Sequence, residues 1–166
     1  MAVLPILQYP RHARRLRRRS QPVSEPEQVR QLIADLKETL LVHANGVGLA
    51  APQIGAHQRV VVVRLGSGPD RVAGPPTALV NPRILEAARE APDFDGCLSI
   101  PGLYGETVRP HLLLVEGLDE EGRRFERRFE GFDAVLVHHE IDHLNGILFI
   151  DRIEDREKLY VTAHGA

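Results

Sequence analysis

The feature that most constrains this chain is a helix that must bury both an apolar surface and two imidazoles. From about Phe132 the apolar residues Val135, Leu136, Ile141 and Leu144 recur at helical spacing, and Asn145-Gly146 supplies the stop. The same segment reads His139-Glu140-Ile141-Asp142-His143, the pattern H-E-x-x-H. On a helix, side chains four residues apart stand one turn above each other on one face, so both imidazoles can reach a single ion. Glu140 lies about 100° round from His139, where a carboxylate reaches a water beside that ion without being a ligand. An exposed polar helix face would give the same letters. The flanking apolar residues argue against that reading, because a largely buried helix rarely tolerates unpaired imidazoles.

A catalytic divalent metal usually keeps three protein ligands and one open position, so a third donor is expected elsewhere. Cys97 is the only cysteine. It cannot form an internal disulfide, which excludes a small bridge-stabilised scaffold and leaves the thiol as structural, reactive or a ligand. Gly96 before it allows close backbone approach, and Ile100-Pro101 after it favours extended chain. Alone, such a cysteine is most often a small buried hydrophobe. The company of two histidines makes Cys97 the candidate third ligand.

The 166 residues suit one domain spanning residues 1–166, with enough chain to bury a single core. Hydrophobic content of 43%, charged content of 27% and a net charge of -2 describe a globular protein with no global field that favours nucleic acid. No run reaches the roughly 18 apolar residues of a membrane span, and the N-terminus lacks the apolar stretch of a signal peptide, so the expected location is cytoplasmic. Arg11 to Arg19 is arginine-rich and acid-free, which reads first as a solvated basic segment. Only Lys37 and Lys158 are lysines among 21 basic residues, a bias that runs the whole length of the chain.

Ser24-Glu25-Pro26-Glu27 predicts a capped helix running to about His43, carrying Val29, Leu32, Ile33, Leu36, Leu40 and Leu41. Gly46 to Gln53 should be extended or looped. Arg59 to Leu65 reads as a buried strand, and Ala78 to Asn81 and Tyr104 to Arg109 as shorter ones. His111 to Leu118 and Arg123 to Glu130 flank Asp119-Glu120-Glu121-Gly122, the signature of a hairpin. A short terminal helix from about Asp155 is also expected. The fold class is therefore α+β, with small, mostly antiparallel sheets around the central H-E-x-x-H helix and the first helix packed outside.

Three segments together resemble the peptide deformylase family: Gly46-Val47-Gly48-Leu49-Ala50-Ala51-Pro52-Gln53, Asp95-Gly96-Cys97-Leu98-Ser99, and His139-Glu140-Ile141-Asp142-His143-Leu144-Asn145-Gly146. The likeness starts by Ile6-Leu7-Gln8-Tyr9-Pro10, which makes the arginine-rich stretch part of a first loop rather than a presequence. It implies Cys97, His139 and His143 as ligands of one divalent ion, Fe2+ first, with Zn2+, Ni2+ or Co2+ compatible. It implies Glu140 as the acid/base residue, and Gln53 with the Leu98 backbone N–H as donors to the oxyanion. The implied substrate is an N-formylmethionyl nascent peptide, which releases formate and lies extended beside Gly46, Val47 and Gly48. Bacterial-type cytoplasm and a transient ribosome contact follow as expectations, without a membrane and without specific nucleic-acid recognition.

Two positions depart from the family pattern. Asp95 stands where a Glu is usual, and Arg109 is its expected basic partner beneath the pocket. His138 replaces a usual Gln and reads either as a hydrogen-bond donor behind the ligands or as a residue of the helix surface, and the surface is the expectation. Two alternatives stay open at this level. One is a deformylase-like paralogue acting on another small acyl amide; the other is a non-catalytic, ribosome-associated metal-binding module, against which Glu140 and Gln53 weigh.

Overall fold

The computed structural model describes residues 2–161. They form helices α1 (Ala13–Leu16), α2 (Arg30–Leu41) and α3 (Phe132–Leu144), and strands β1 (Gly48–Ala50), β2 (Val60–Val63), β3 (Thr77–Cys97), β4 (Ile100–Leu118), β5 (Arg124–Glu130) and β6 (Leu159–Val161). The α+β class is as expected, and the strands pair antiparallel. They join in one network of order β1-β2-β3-β4-β5, with β6 added on β4. Separate small sheets merge because β3 and β4 are long, at 21 and 19 residues, and each serves two neighbourhoods. Register shifts at Val80/Arg83 and Ile84/Glu86 bend the pair as bulges do.

The valine run explains why the sheet is covered on both sides. Val61 and Val63 pack with Ala134, Leu136, Val137, Ile141 and Leu144 of α3, while Val60 and Val62 pack with Val29, Ile33, Leu36 and Leu40 around α2. A strand buried on both faces reads as a continuous apolar run rather than an alternating one. Each fully buried valine contributes about 1.5 kcal/mol or more, so both helices are held firmly.

Three local expectations change. The predicted capped helix from Ser24 begins as a 3-10 turn, Pro26–Val29, before α2, and Ser24 Oγ meets Gln28 Oε1 at 3.4 Å instead of capping a backbone N–H. β3 runs on past Asn81 through Glu86-Ala87-Ala88-Arg89-Glu90-Ala91, residues that favour helix in isolation. Pairing with the leucine-rich 112–115 segment of β4 overrides that preference. The expected terminal helix is a 3-10 turn, Arg156–Lys158, followed by β6 on β4; anything beyond residue 161 lies outside the described residues.

The arginine-rich stretch is not a free loop. It contains α1, whose Leu16 is buried with Leu148 and Phe149, and the following Ser20 N–H donates to the Leu144 carbonyl at the end of α3.

Candidate metal centre

Cys97 ends β3, and a tight turn pairs it with Ile100 at the start of β4. α3 presents His139 and His143, whose ring centroids lie 5.0 Å apart. One donor atom from each of Cys97, His139 and His143 falls within 4.8 Å of the others, so this group could hold a metal. Cys97 Sγ lies 3.3 Å from His143 Nε2. His139 turns its Nδ1 to Asp95 Oδ1 at 2.9 Å, which leaves Nε2 for an ion.

The donor set fits a divalent cation. Burial pushes His143 down to about 3, so its imidazole is neutral and its lone pair is available. Burial also pulls on His139, but the charges of Asp95 and Glu140 and the Asp95 hydrogen bond outweigh it and hold the ring well above its ordinary value. Those surroundings favour positive charge at Nε2, which a metal ion satisfies as a proton does. A thiolate with two imidazoles is a ligand set for Fe2+, Zn2+, Ni2+ or Co2+.

Glu140 is buried beside this group, and its Oε1 has no hydrogen-bond partner among the described residues. Burial pushes its carboxyl up to about 7. Gly48 lies against it: a Cβ there would fall 2.5 Å from Glu140 Oε2 and 2.8 Å from Leu136 Cδ1. The 3-10 turn Ala51–Ile54 follows β1 and carries Gln53, only 1% exposed. The Ala50 N–H donates to Gln53 Oε1 at 2.9 Å, which directs Nε2 toward Cys97 Sγ at 3.4 Å and Ser99 Oγ at 3.1 Å. Leu98 lies between those two contacts.

The remaining substrate candidates are placed unevenly. Val47 packs partly buried against the α3 core, and its carbonyl accepts from the Arg64 N–H at 2.8 Å. Gly46 stands in the turn after α2, its N–H donating to the His43 carbonyl.

Behind Cys97, His139 and His143 lies a buried charge network. Asp95 Oδ2 accepts from Arg109 Nε at 2.8 Å and Thr107 Oγ1 at 2.9 Å. Burial alone would raise the Asp95 carboxyl, yet the charges and hydrogen bonds of His139 and Arg109 hold it far below the usual range. Arg109, 0% exposed, also donates to Asp142 Oδ2 at 2.7 Å and His138 Nδ1 at 2.8 Å. Arg152 closes the network by donating to both Asp142 oxygens. The Asp95–Arg109 pairing expected from the sequence is present. His138 is a correction: it is half-buried, burial pushes it down to about 4, and as a neutral ring it accepts from Arg109 instead of lying on the helix surface. Thr107, Ser99, Asp142 and Arg152 were not singled out from sequence, because only the tertiary arrangement sets them around Arg109 and Gln53.

Comparison with known proteins agrees with this geometry. A family model described as polypeptide deformylase matches residues 3–159. A peptide deformylase of Alkalilimnicola ehrlichii is 43% identical over 159 residues, covering 95% of this chain and 86% of its own length. The crystal structure of peptide deformylase from Ehrlichia chaffeensis superposes with a TM-score of 0.84 at 31% identity, covering 95% of this chain and 91% of that one. A peptide deformylase from Synechococcus elongatus, solved in complex with actinonin, gives 0.82 at 36% identity over 93% and 81% of the two chains. With matches of this extent, the chain belongs to the polypeptide deformylase family.

Proposed function

We propose that this deformylase removes the formyl group from N-formylmethionyl nascent peptides with Cys97, His139 and His143 as ligands of one divalent ion, ferrous iron first. When bound there, the ion supplies Lewis acidity that polarises a carbonyl and makes a water more acidic. Glu140 accepts the proton of the attacking water and returns it to the amine that leaves, so that formate and a free N-terminus result. The Gln53 amide and the Leu98 N–H donate to the oxygen of the formyl group as charge develops on it. Gln53 suits this task because it is neutral and held in one orientation by the Ala50 N–H. The observation that carries the reading is the convergence of Glu140 and the Gln53 amide on the Cys97–His139–His143 group.

In this reading residues 1–166 act as one catalytic domain. The peptide adds as an extended strand beside Val47 and Gly48, with Gly46 giving the chain its approach. Asp95 and Arg109 orient His139 from behind. The location is bacterial-type cytoplasm; no helix among the described residues is long and apolar enough to cross a membrane. The exposed arginines of residues 11–19 give a surface for transient contact with ribosomal phosphates.

The test is formate release from formyl-Met-Ala peptides by anaerobically purified protein, with elemental analysis of the same sample. Glu140→Ala should retain metal and lose roughly 100-fold or more in kcat. No formate from the parent rejects deformylation, and undiminished formate from the variant rejects the role given to Glu140.

A further inference from the structure

Three arginines, Arg19, Arg59 and Arg83, line a cavity of about 520 Å³ together with Ser20, Ile141 and Asn145. Ile141 and Asn145 each follow a histidine of the candidate metal centre by two residues, about 200° round α3, so the cavity lies behind the helix and apart from Cys97. None of the described residues that line it is acidic. Its volume falls in the range of roughly 300–1,000 Å³ usual for small-molecule sites, and guanidinium groups gathered without carboxylates set its sign.

Each arginine comes from a different part of the chain. Arg19 follows α1, Arg59 precedes β2, and Arg83 lies in β3 where the ladder with β4 shifts register between Val80 and Arg83. Arg59 is fixed from behind: it donates to the Leu144 carbonyl at 3.1 Å and to Asn145 Oδ1 at 3.0 Å, neutral acceptors at the end of α3. Those bonds satisfy helix-terminal groups that would otherwise oppose an anion. They leave the positive charge uncompensated. Burial first, and then repulsion from Arg19, makes the charged form of Arg59 less favourable than usual. Arg83 meets a carboxylate only at 3.7 Å, that of Glu116, with both side chains well exposed, a pairing of little strength.

Ser20 points the same way independently. It is 2% exposed, its N–H is committed to the Leu144 carbonyl at 2.8 Å, and its Oγ has no hydrogen-bond partner among the described residues. A buried hydroxyl left unpaired is costly, whereas one in the wall of an arginine-lined cavity can donate to an oxyanion. The wall is held rigidly, because Asn81, at φ 50°, clasps the Val23 backbone through Oδ1 and Nδ2, each at 2.8 Å.

We propose that this cavity is a binding site for a phosphate group, held by Arg19, Arg59 and Arg83 and by the Ser20 hydroxyl. Guanidinium forks match phosphate oxygens in geometry and keep their charge at physiological pH. A phosphorylated small molecule and the backbone of a single-stranded RNA present the same chemistry, and the basic stretch 11–19 leads into the site. The site does not depend on the reaction assigned to the Cys97 group.

The experiment is isothermal titration calorimetry of the metal-loaded, full-length protein at fixed ionic strength, with inorganic phosphate, uridine monophosphate and an octauridylate RNA as probes. The parent should bind all three, and the tighter of the last two assigns the source of the phosphate. Arg19→Gln and Arg83→Gln remove exposed side chains, so both variants should fold, and each should weaken inorganic phosphate by roughly tenfold. Ser20→Ala, which removes only the hydroxyl, should weaken it by roughly threefold or more. Arg14→Gln lies outside the cavity and should leave the affinity within about twofold. A parent that takes up no inorganic phosphate by roughly 10 mM overturns the proposal. So does an affinity untouched by Arg19→Gln and Arg83→Gln, which puts the anion elsewhere, the metal ion included. An equal loss in Arg14→Gln shows a diffuse basic surface in place of a site and overturns it as well.

Discussion

Asp95 answers to three donors at once: His139 on Oδ1, and Arg109 and Thr107 on Oδ2, all at 2.8–2.9 Å. Those contacts are already close, so the Glu usual at this position in the family has to be accommodated by some shift here. Asp95→Glu lengthens the side chain by one carbon–carbon bond, about 1.5 Å, and displaces either His139 or Arg109. We expect a measurable change in kcat/KM and metal retention weakened by roughly tenfold, read by steady-state kinetics and metal analysis after dialysis. Identical kinetics and identical retention would sink the idea that Asp95 is matched to its neighbours. Gly48 makes a second residue-scale case. A methyl group there meets Glu140 Oε2 at 2.5 Å, and the carboxylate is the part able to move. Gly48→Ala should therefore lower kcat by on the order of 100-fold while shifting stability by only about 1 kcal/mol. A loss of stability with activity preserved in the folded fraction would show instead that Leu136 yields and Glu140 stays.

Helix α3 carries His139 and His143, so its ends decide how well the two imidazoles are held. Its C-terminal turn closes through Gly146 at φ 74°, in the left-handed region, and Gly146 lies against the Arg17 backbone. An added Cβ would be 2.1 Å from the Arg17 carbonyl oxygen, a contact with backbone that no rotamer change relieves. Gly146→Ala should cost about 2 kcal/mol or more, seen as a lower midpoint of denaturant unfolding, since both backbone strain and the clash act together. An unchanged midpoint would mean that the Arg17 segment moves aside freely. That outcome would be surprising, because Leu16 is buried beside Leu148 and Phe149, and Arg17 pairs with Asp151 at 2.7 Å. The ion pair itself is a third or more exposed and adds little. Among the strands, β3 and β4 have the corresponding role: their shared tip sets Cys97 opposite α3, and their length lets one ladder reach from the valine core to the candidate metal centre.

Over the whole molecule the net charge is only -2, yet Arg11, Arg14, Arg15, Arg18 and Arg19 lie exposed on one short stretch. Arg59 lies close enough to Arg19 to feel its repulsion, though burial is the larger effect on it, so positive charge is concentrated locally. If this surface meets ribosomal phosphates, cosedimentation with ribosomes should weaken steeply as salt rises. Joint replacement of Arg14, Arg15, Arg18 and Arg19 by Glu should reduce it by roughly tenfold or more at fixed salt. Equal cosedimentation of parent and variant would remove the stretch from consideration. Much of this protein was legible in its letters. The H-E-x-x-H spacing specifies two imidazoles on one helix face, because helical periodicity is local; the valine run and the Asp119–Gly122 turn are local in the same way. The lone thiol made Cys97 a candidate beside the two histidines, and the resemblance supplied Gln53 and the Asp95–Arg109 pair. What the letters could not convey depends on contacts distant along the chain. A helix-favouring stretch becomes strand because β4 lies beside it, and His138 becomes a half-buried acceptor because Arg109 reaches it. Phe94, Tyr104 and Tyr160 become one surface only when β3, β4 and β6 align. Local spacing is set by backbone geometry that each segment carries alone, whereas partners across the sheet exist only once the whole chain has folded.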